Sequence, residues 1–185
     1  MGDDEKKVSH AGIPPSNFVE DVESFMASSE NGGDAGKVLG RLEEQHNKYK
    51  FMELNLLAKR KRLKNQIPDL ERSLDMIKLL KKHKTESSGE KLVTEFLLSE
   101  QLYSKATINP SDTVYLWLGA NVMLEYTLDD AAELLSNNID TAKKQEKTIE
   151  EDLDFLRDQF TTTEVNMARV YNWDVKRRQA ENRSA

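Results

Sequence analysis

Three histidines, a glycine-rich turn before a lysine, a dense basic run and 33 Asp and Glu residues are the groups in this 185-residue chain whose types and spacing could do chemistry. His10, His46 and His83 stand far apart, and none has a second histidine or a carboxylate at the spacing of a metal site. Gly32-Gly33-Asp34-Ala35-Gly36-Lys37 carries the glycines and lysine of a phosphate loop. Such a loop needs four residues between its glycines and Ser or Thr after the lysine; here Gly32 and Gly36 enclose three residues, Val38 follows Lys37, and no strand precedes them. The turn therefore reads as a linker. The carboxylates fall in charge runs on helix faces, where no burial would tune them for acid–base work. There is no nucleophile elbow and no supported Ser-His-Asp arrangement. With no cysteine, disulfides, thiolate metal sites and cysteine nucleophiles are excluded. The sequence predicts no catalytic, cofactor-binding or metal-ligating residue, no cofactor and no enzymatic activity.

The basic run Lys59-Arg60-Lys61-Arg62-Leu63-Lys64 could contact nucleic acid or act as a nuclear signal. Salt-bridging and solvation on a helix explain it better, because Leu63 would be buried between the charges. A net charge of −6 also argues against nucleic acid. The chemistry left to the chain is apolar contact. Val114-Tyr115-Leu116-Trp117-Leu118 has no charged or amide residue, so both faces of that strand want burial.

The elements that must position these residues follow from periodicity. Apolar residues make up 37% of the chain and charged residues 32%, a balance suited to long exposed helices. Residues 1–15 read as a disordered tail without an apolar leader region, and no apolar run approaches the ~20 residues of a membrane span. Residues 16–36 hold a short amphipathic helix, Ser16 to about Ser28 with Asn17 as cap, and the linker; Phe18, Val22 and Phe25 recur at helical spacing. A long helix is expected over 37–84, with Leu42, Tyr49, Leu56, Leu63, Leu70 and Ile77 seven apart and Pro68 kinking it. A β region over 91–127 offers four strands: Thr94–Leu98, Leu102–Ile108, Val114–Leu118 and Val122–Thr127. The first of them, in Lys91–Glu100, could instead be helix. A second helix over 129–180 repeats Leu128, Leu135, Ala142, Ile149, Leu156, Thr163 and Val170 every seven residues, and 181–185 read as a tail.

The fold class is mainly α with a small β region: a long antiparallel two-helix coiled coil joined by two β-hairpins. Facing residues should have numbers summing to about 213, within a heptad. That register sets Lys59–Lys64 beside Glu150, Glu151, Asp152, Asp154 and Asp158. Small sheets are marginal alone, so the hairpins should pair with other chains. The expected oligomer platform is Val114, Leu116, Trp117, Leu118, Val122 and Leu124. A structural coiled-coil scaffold or tether is the alternative, although scaffolds usually continue as long parallel coils.

Two stretches resemble the α-type subunits of the prefoldin family: Val114-Tyr115-Leu116-Trp117-Leu118-Gly119-Ala120-Asn121-Val122-Met123-Leu124-Glu125-Tyr126, and the non-repetitive run from Glu151 to Val175. Gly12-Ile13-Pro14-Pro15 is similar as well, and the likeness spans about residues 12–180. The resemblance implies a cytoplasmic, ATP-independent heterohexamer of two α-type and four β-type subunits, with a nuclear presence also possible. Its hairpins would join in a β-barrel platform. Its coiled-coil tips would hold unfolded clients such as actin and tubulin for transfer to the cytosolic group II chaperonin. In this chain the expected client-binding tips are Phe18, Val22 and Phe25 with Val170, Tyr171 and Trp173. No nucleic acid and no membrane are expected as partners.

Overall fold

Residues 9–86 and 90–184 are described by the computed structural model. The elements run α1 (Val22–Ala27), α2 (Ala35–Glu86), β1 (Leu92–Ser99), β2 (Leu102–Ile108), β3 (Thr113–Gly119), β4 (Val122–Thr127) and α3 (Leu128–Ser184). The expected tail over 1–15 lies outside the described residues up to residue 8, and so do residues 87–89 of the polar break and residue 185. The helices extend beyond their expected ends because side chains cap them. Asp34 accepts the amide of Lys37 at 3.1 Å and opens α2. Thr127 accepts the amide of Asp130 at 3.1 Å and donates its hydroxyl to the Asp130 carboxylate at 2.7 Å, capping the start of α3. Helix α2 continues through Pro68.

The chain divides into two compact units: Met1–Arg62 with Glu146–Ala185, and Leu63–Gln145. In the first, Tyr49, Leu56 and Leu156 form one buried cluster, which also takes Ile13. Met26, Ala35, Val38, Leu42 and Val170 form another. The Tyr49 hydroxyl receives a hydrogen bond from Gln45 at 2.7 Å and donates to the Pro14 carbonyl at 2.8 Å. Burial pushes the Tyr49 phenol up, opposed by its hydrogen bonds to Gln45 and Ser16. In the second unit Ile77, Leu128, Ala131 and Leu135 make the core, with Leu70, Leu74 and Leu80 against it. The seven-residue rows of the sequence are thus the buried rows of both helices.

Register follows from pairs within each unit. His46 and Glu164 are 3.2 Å apart, Lys143 and Glu71 2.7 Å, and Lys81 and Asp129 2.6 Å. The helices are antiparallel, and the partners' numbers sum to about 210–214. Arg60 shares a cavity of about 300 Å³ with Glu150, Leu153 and Asp154, as that register requires. Among the described residues, however, no ion pair joins Lys59–Lys64 to Glu150, Glu151, Asp152 or Asp154: Asp154 pairs with Arg157 on its own helix at 3.5 Å, and two of the five acids expected beside the basic run face elsewhere. Asp152 takes hydrogen bonds from Ser9, His10 and Ala11, and Glu151 lies 3.1 Å from His10.

The N-terminal segment differs most from expectation. Residues 9–20 contain no helix, and α1 is six residues long, capped by Asp21, which accepts the Glu23 amide at 3.0 Å. Asn17 caps nothing; its carbonyl accepts a bond from the Asn166 amide at 2.8 Å. The backbone here is satisfied by α3 side chains, and that competes with forming helix turns. The glycine-rich stretch is ordered too: Asn31 is buried, its amide nitrogen 2.7 Å from the Phe25 carbonyl and its oxygen 2.7 Å from Arg41.

Candidate functional site

The hairpins are two separate two-stranded antiparallel sheets, β1–β2 and β3–β4. In β3–β4, Val114 pairs with Tyr126, Leu116 with Leu124 and Trp117 with Met123. Paired residues share a face, and alternate residues point opposite ways. Val114, Leu116 and Tyr126 therefore lie on one face, packed on the core around Ile77, Leu128, Ala131 and Leu135. Tyr115, Trp117 and Met123 lie on the other face and are exposed. The pairing shifts between Trp117 and Gly119, and the turn is carried by Gly119, Ala120 and Asn121, all with positive φ. Three such residues in sequence suit the tight reversal.

Val114 and Leu116, expected to meet other chains, thus already lean on this chain's own helices. Leu118, Val122 and Leu124 are exposed, as is Trp117. The first hairpin forms where its strands were expected, over β1 and β2, but none of its residues was among the expected platform residues. In β1–β2, Leu97 pairs with Tyr103 and Phe96 with Ser104, and every residue of β1 after Leu92 is exposed. Phe96, Leu98 and Leu92 share one face, and Val93, Leu97 and Tyr103 the other. The run Phe96-Leu97-Leu98 was the available signal, weakened because Lys91–Glu100 also reads as helix. Thirteen large apolar side chains between Val93 and Leu124 are 41–64% exposed among the described residues. Each sheet also leaves its outer backbone edges without a strand partner among the described residues.

The base of the hairpins is held by charge. Lys84 meets Asp112 at 2.5 Å, and the Leu128 amide donates to the Asp112 carbonyl at 3.1 Å. Hydrogen bonding and charge from Lys81 hold the Asp129 carboxyl below its ordinary value. A cavity of about 150 Å³ there is lined by Leu80, Leu92, Ile108 and Pro110 among others.

The expected tip residues are brought together in the first unit. Val22, Phe25 and Trp173 are partly buried against Met26, Val38, Leu42 and the fully buried Val170. Arg177 lies over the Trp173 ring, 5.3 Å from its centre, and also donates to the Gly33 carbonyl at 3.3 Å. Phe18 and Tyr171 remain outward, at 51% and 60% exposure, with Arg169 above the Phe18 ring at 5.0 Å. Missed by sequence reasoning were Asp152, Gln159 and Asn166 on α3, which hold the main chain of residues 10–19. Their spacing of seven was the signal present in the sequence. Among the described residues no cluster of His, Asp or Glu could hold a metal ion, and no helix is long and apolar enough to cross a membrane.

The family model for prefoldin subunits matches residues 49–173. Prefoldin subunit 3 of Homo sapiens is 59% identical over 169 residues, covering 91% of this chain and 84% of that protein. Prefoldin subunit 3 of Drosophila melanogaster is 56% identical over 176 residues, 95% of this chain and 88% of that one. A chain of the filamentous PFD from Methanocaldococcus jannaschii, solved by cryo-EM, superposes with a TM-score of 0.48 at 18% identity, covering 64% of this chain and 94% of that one.

Proposed function

The chain belongs to the prefoldin subunit family and is a co-chaperone subunit, and from that premise we propose that it works in the cytoplasm as one α-type member of a heterohexamer that holds unfolded proteins without ATP. Its partners are the other α-type and β-type subunits. Its clients are unfolded chains, actin and tubulin among them, passed on to the cytosolic group II chaperonin. The observation that carries this reading is the exposed apolar surface of both hairpins, Phe96, Leu97, Tyr115, Trp117 and Met123 above all. Burying such surface stabilises association by roughly 25 cal/mol per Å². The open sheet edges offer the backbone bonds through which hairpins of several chains can join into one barrel.

The test is to purify the chain with the proteins it holds in cells and identify them by mass. The reading expects a defined set of other prefoldin subunits in fixed ratio. The assembled complex should then suppress aggregation of denatured actin without nucleotide. Isolation as a lone chain, or an assembly with no holding activity, would refute it.

A further inference from the structure

Asp152, Gln159 and Asn166 stand seven residues apart on α3, and all three are buried, at 3%, 9% and 1% exposure. At such positions a two-helix coiled coil would normally carry apolar residues. Here each side chain takes the main chain of the non-helical segment 9–20. Asp152 Oδ1 accepts the amides of His10 at 2.7 Å and Ala11 at 3.2 Å. Gln159 Oε1 accepts the amide of Ser16 at 2.7 Å. Asn166 accepts the amide of Val19 at 2.9 Å through Oδ1 and donates to the Asn17 carbonyl at 2.8 Å through Nδ2. Farther along, Arg169 donates to the Glu20 carbonyl at 2.6 Å. The segment's own side chains add Ser9 on Asp152, His10 at 3.1 Å from Glu151, Ser16 at 2.8 Å from Thr163 and the buried Ile13, while Phe18 is half exposed.

Apart from the Ser9 hydroxyl on Asp152 Oδ1 at 3.3 Å, the bonds these three side chains make to the segment go to its main chain, and such bonds do not discriminate sequence. A row of such groups also cannot be left empty cheaply, because a buried amide or carboxylate without a partner bears its full desolvation penalty. Whatever leaves the groove must be replaced by water or by another extended backbone. An unfolded polypeptide is the class of partner that always presents one. We propose that this α3 groove is a main-chain-reading site for an extended segment of unfolded polypeptide, and that residues 9–20 are its resident occupant, exchanged for the client. The proposal rests on the holding function and gives it a second kind of contact, polar and sequence-tolerant, beside apolar tips. The resident segment lies ahead of the stretch that matches the family model, whereas the three reading residues lie within it.

The chain's lack of cysteine allows a reversible test. Ser16 Oγ and Thr163 Oγ1 are 2.8 Å apart, so Ser16→Cys with Thr163→Cys places two thiols where a disulfide can tie the segment to α3. The variant is assembled with its partner subunits, and binding of fluorescein-labelled, reduced and carboxymethylated α-lactalbumin is followed by anisotropy. Locking removes the open population, so apparent affinity should fall about tenfold in the oxidised form and return on reduction. The unsubstituted assembly, given the same redox treatment, should not change. Equal affinity of both forms overturns the exchange and leaves the holding function standing; no binding by either form or by the unsubstituted assembly overturns both. A second measurement needs no variant. Adding the unfolded chain should speed hydrogen exchange at the amides of His10, Ala11, Ser16 and Val19, and unchanged protection there overturns the proposal.

Discussion

The two units of this chain satisfy their residues in opposite ways. In the unit built from the start of α2 and the end of α3, an added segment covers the helices, and polar groups buried there have partners supplied by the same chain. In the unit holding the hairpins, the helices bury their own rows, yet both sheets turn large apolar side chains outward. The helical frame is common to both; the difference lies in what lies against it. The first unit meets its buried polar groups within one chain, whereas the second, on the proposed function, is completed by association. A defect in the first should therefore appear as lost monomer stability, and a defect in the second as lost assembly.

The sharpest way to break that contrast is Trp117→Asp with Met123→Lys. These two pair across β3 and β4 on the outward face, away from the helical core. Each side chain contributes about 1.5–3 kcal/mol when buried, and desolvating two new charges adds a further cost. Co-assembly with partner subunits should be abolished in size-exclusion chromatography with mass detection, while circular dichroism of the single chain stays unchanged. Normal incorporation would mean that this face is not in the platform. Leu116→Asp, by contrast, should damage both properties, since Leu116 also packs on the helices.

Tyr49→Ala tests the other unit. Tyr49 is fully buried, fills the cluster with Leu56 and Leu156, and holds the Pro14 carbonyl. Loss of a buried aromatic ring costs about 3–5 kcal/mol. Chemical denaturation of the single chain should show a loss of that size, with subunit stoichiometry retained at low temperature. A stable variant that fails to assemble would invert the comparison. Asn166→Ala is a milder probe of the same unit. It strands the Val19 amide and the Asn17 carbonyl, at about 1–3 kcal/mol. The loss should be confined to faster hydrogen exchange of residues 16–20, without change in the hairpins.

How much of this was legible in the sequence follows the same division. The buried helical rows were readable because one helix face sees one environment, so Leu42 to Ile77 and Leu128 to Val170 repeat without a break. The turn at Gly119-Ala120-Asn121 was readable from local backbone chemistry. The docking of residues 9–20 was not, because its signal is three polar residues on a different helix more than 130 positions away. Read locally, Asp152 belongs to an acidic run and Asn17 looks like a cap; only the long-range main-chain bonds reassign them. The outward face of β1–β2 was obscured for another reason. A strand that carries apolar residues on both of its exposed faces shows no clean alternation, so Phe96-Leu97-Leu98 fits a helix as well as a strand.

The smallest effect concerns how the open unit is pinned at its base. Lys81 on α2 lies 2.6 Å from Asp129 in the first turn of α3, next to the last strand. The hydrogen bond from Lys81, and then its charge, depress the Asp129 carboxyl below its ordinary value of 3.8. A carboxyl depressed in the folded state stabilises that state only while ionised. Its contribution is fully present above pH 3.8 and fades as pH falls through the lower folded value. Both groups reach solvent, so the effect on stability is slight and weakens with salt. It is best read at the carboxyl itself: a carbon-detected NMR titration should show Asp129 ionising below the ordinary Asp range, and Lys81→Gln should move that midpoint up. Thermal stability above pH 5 should hardly change in this variant, and co-assembly should be intact, because the hairpins depend on the apolar faces rather than on this pair. A Lys81→Gln chain that no longer assembles would show that the orientation of the hairpins, and not only their exposed surface, is set by the charges at their base.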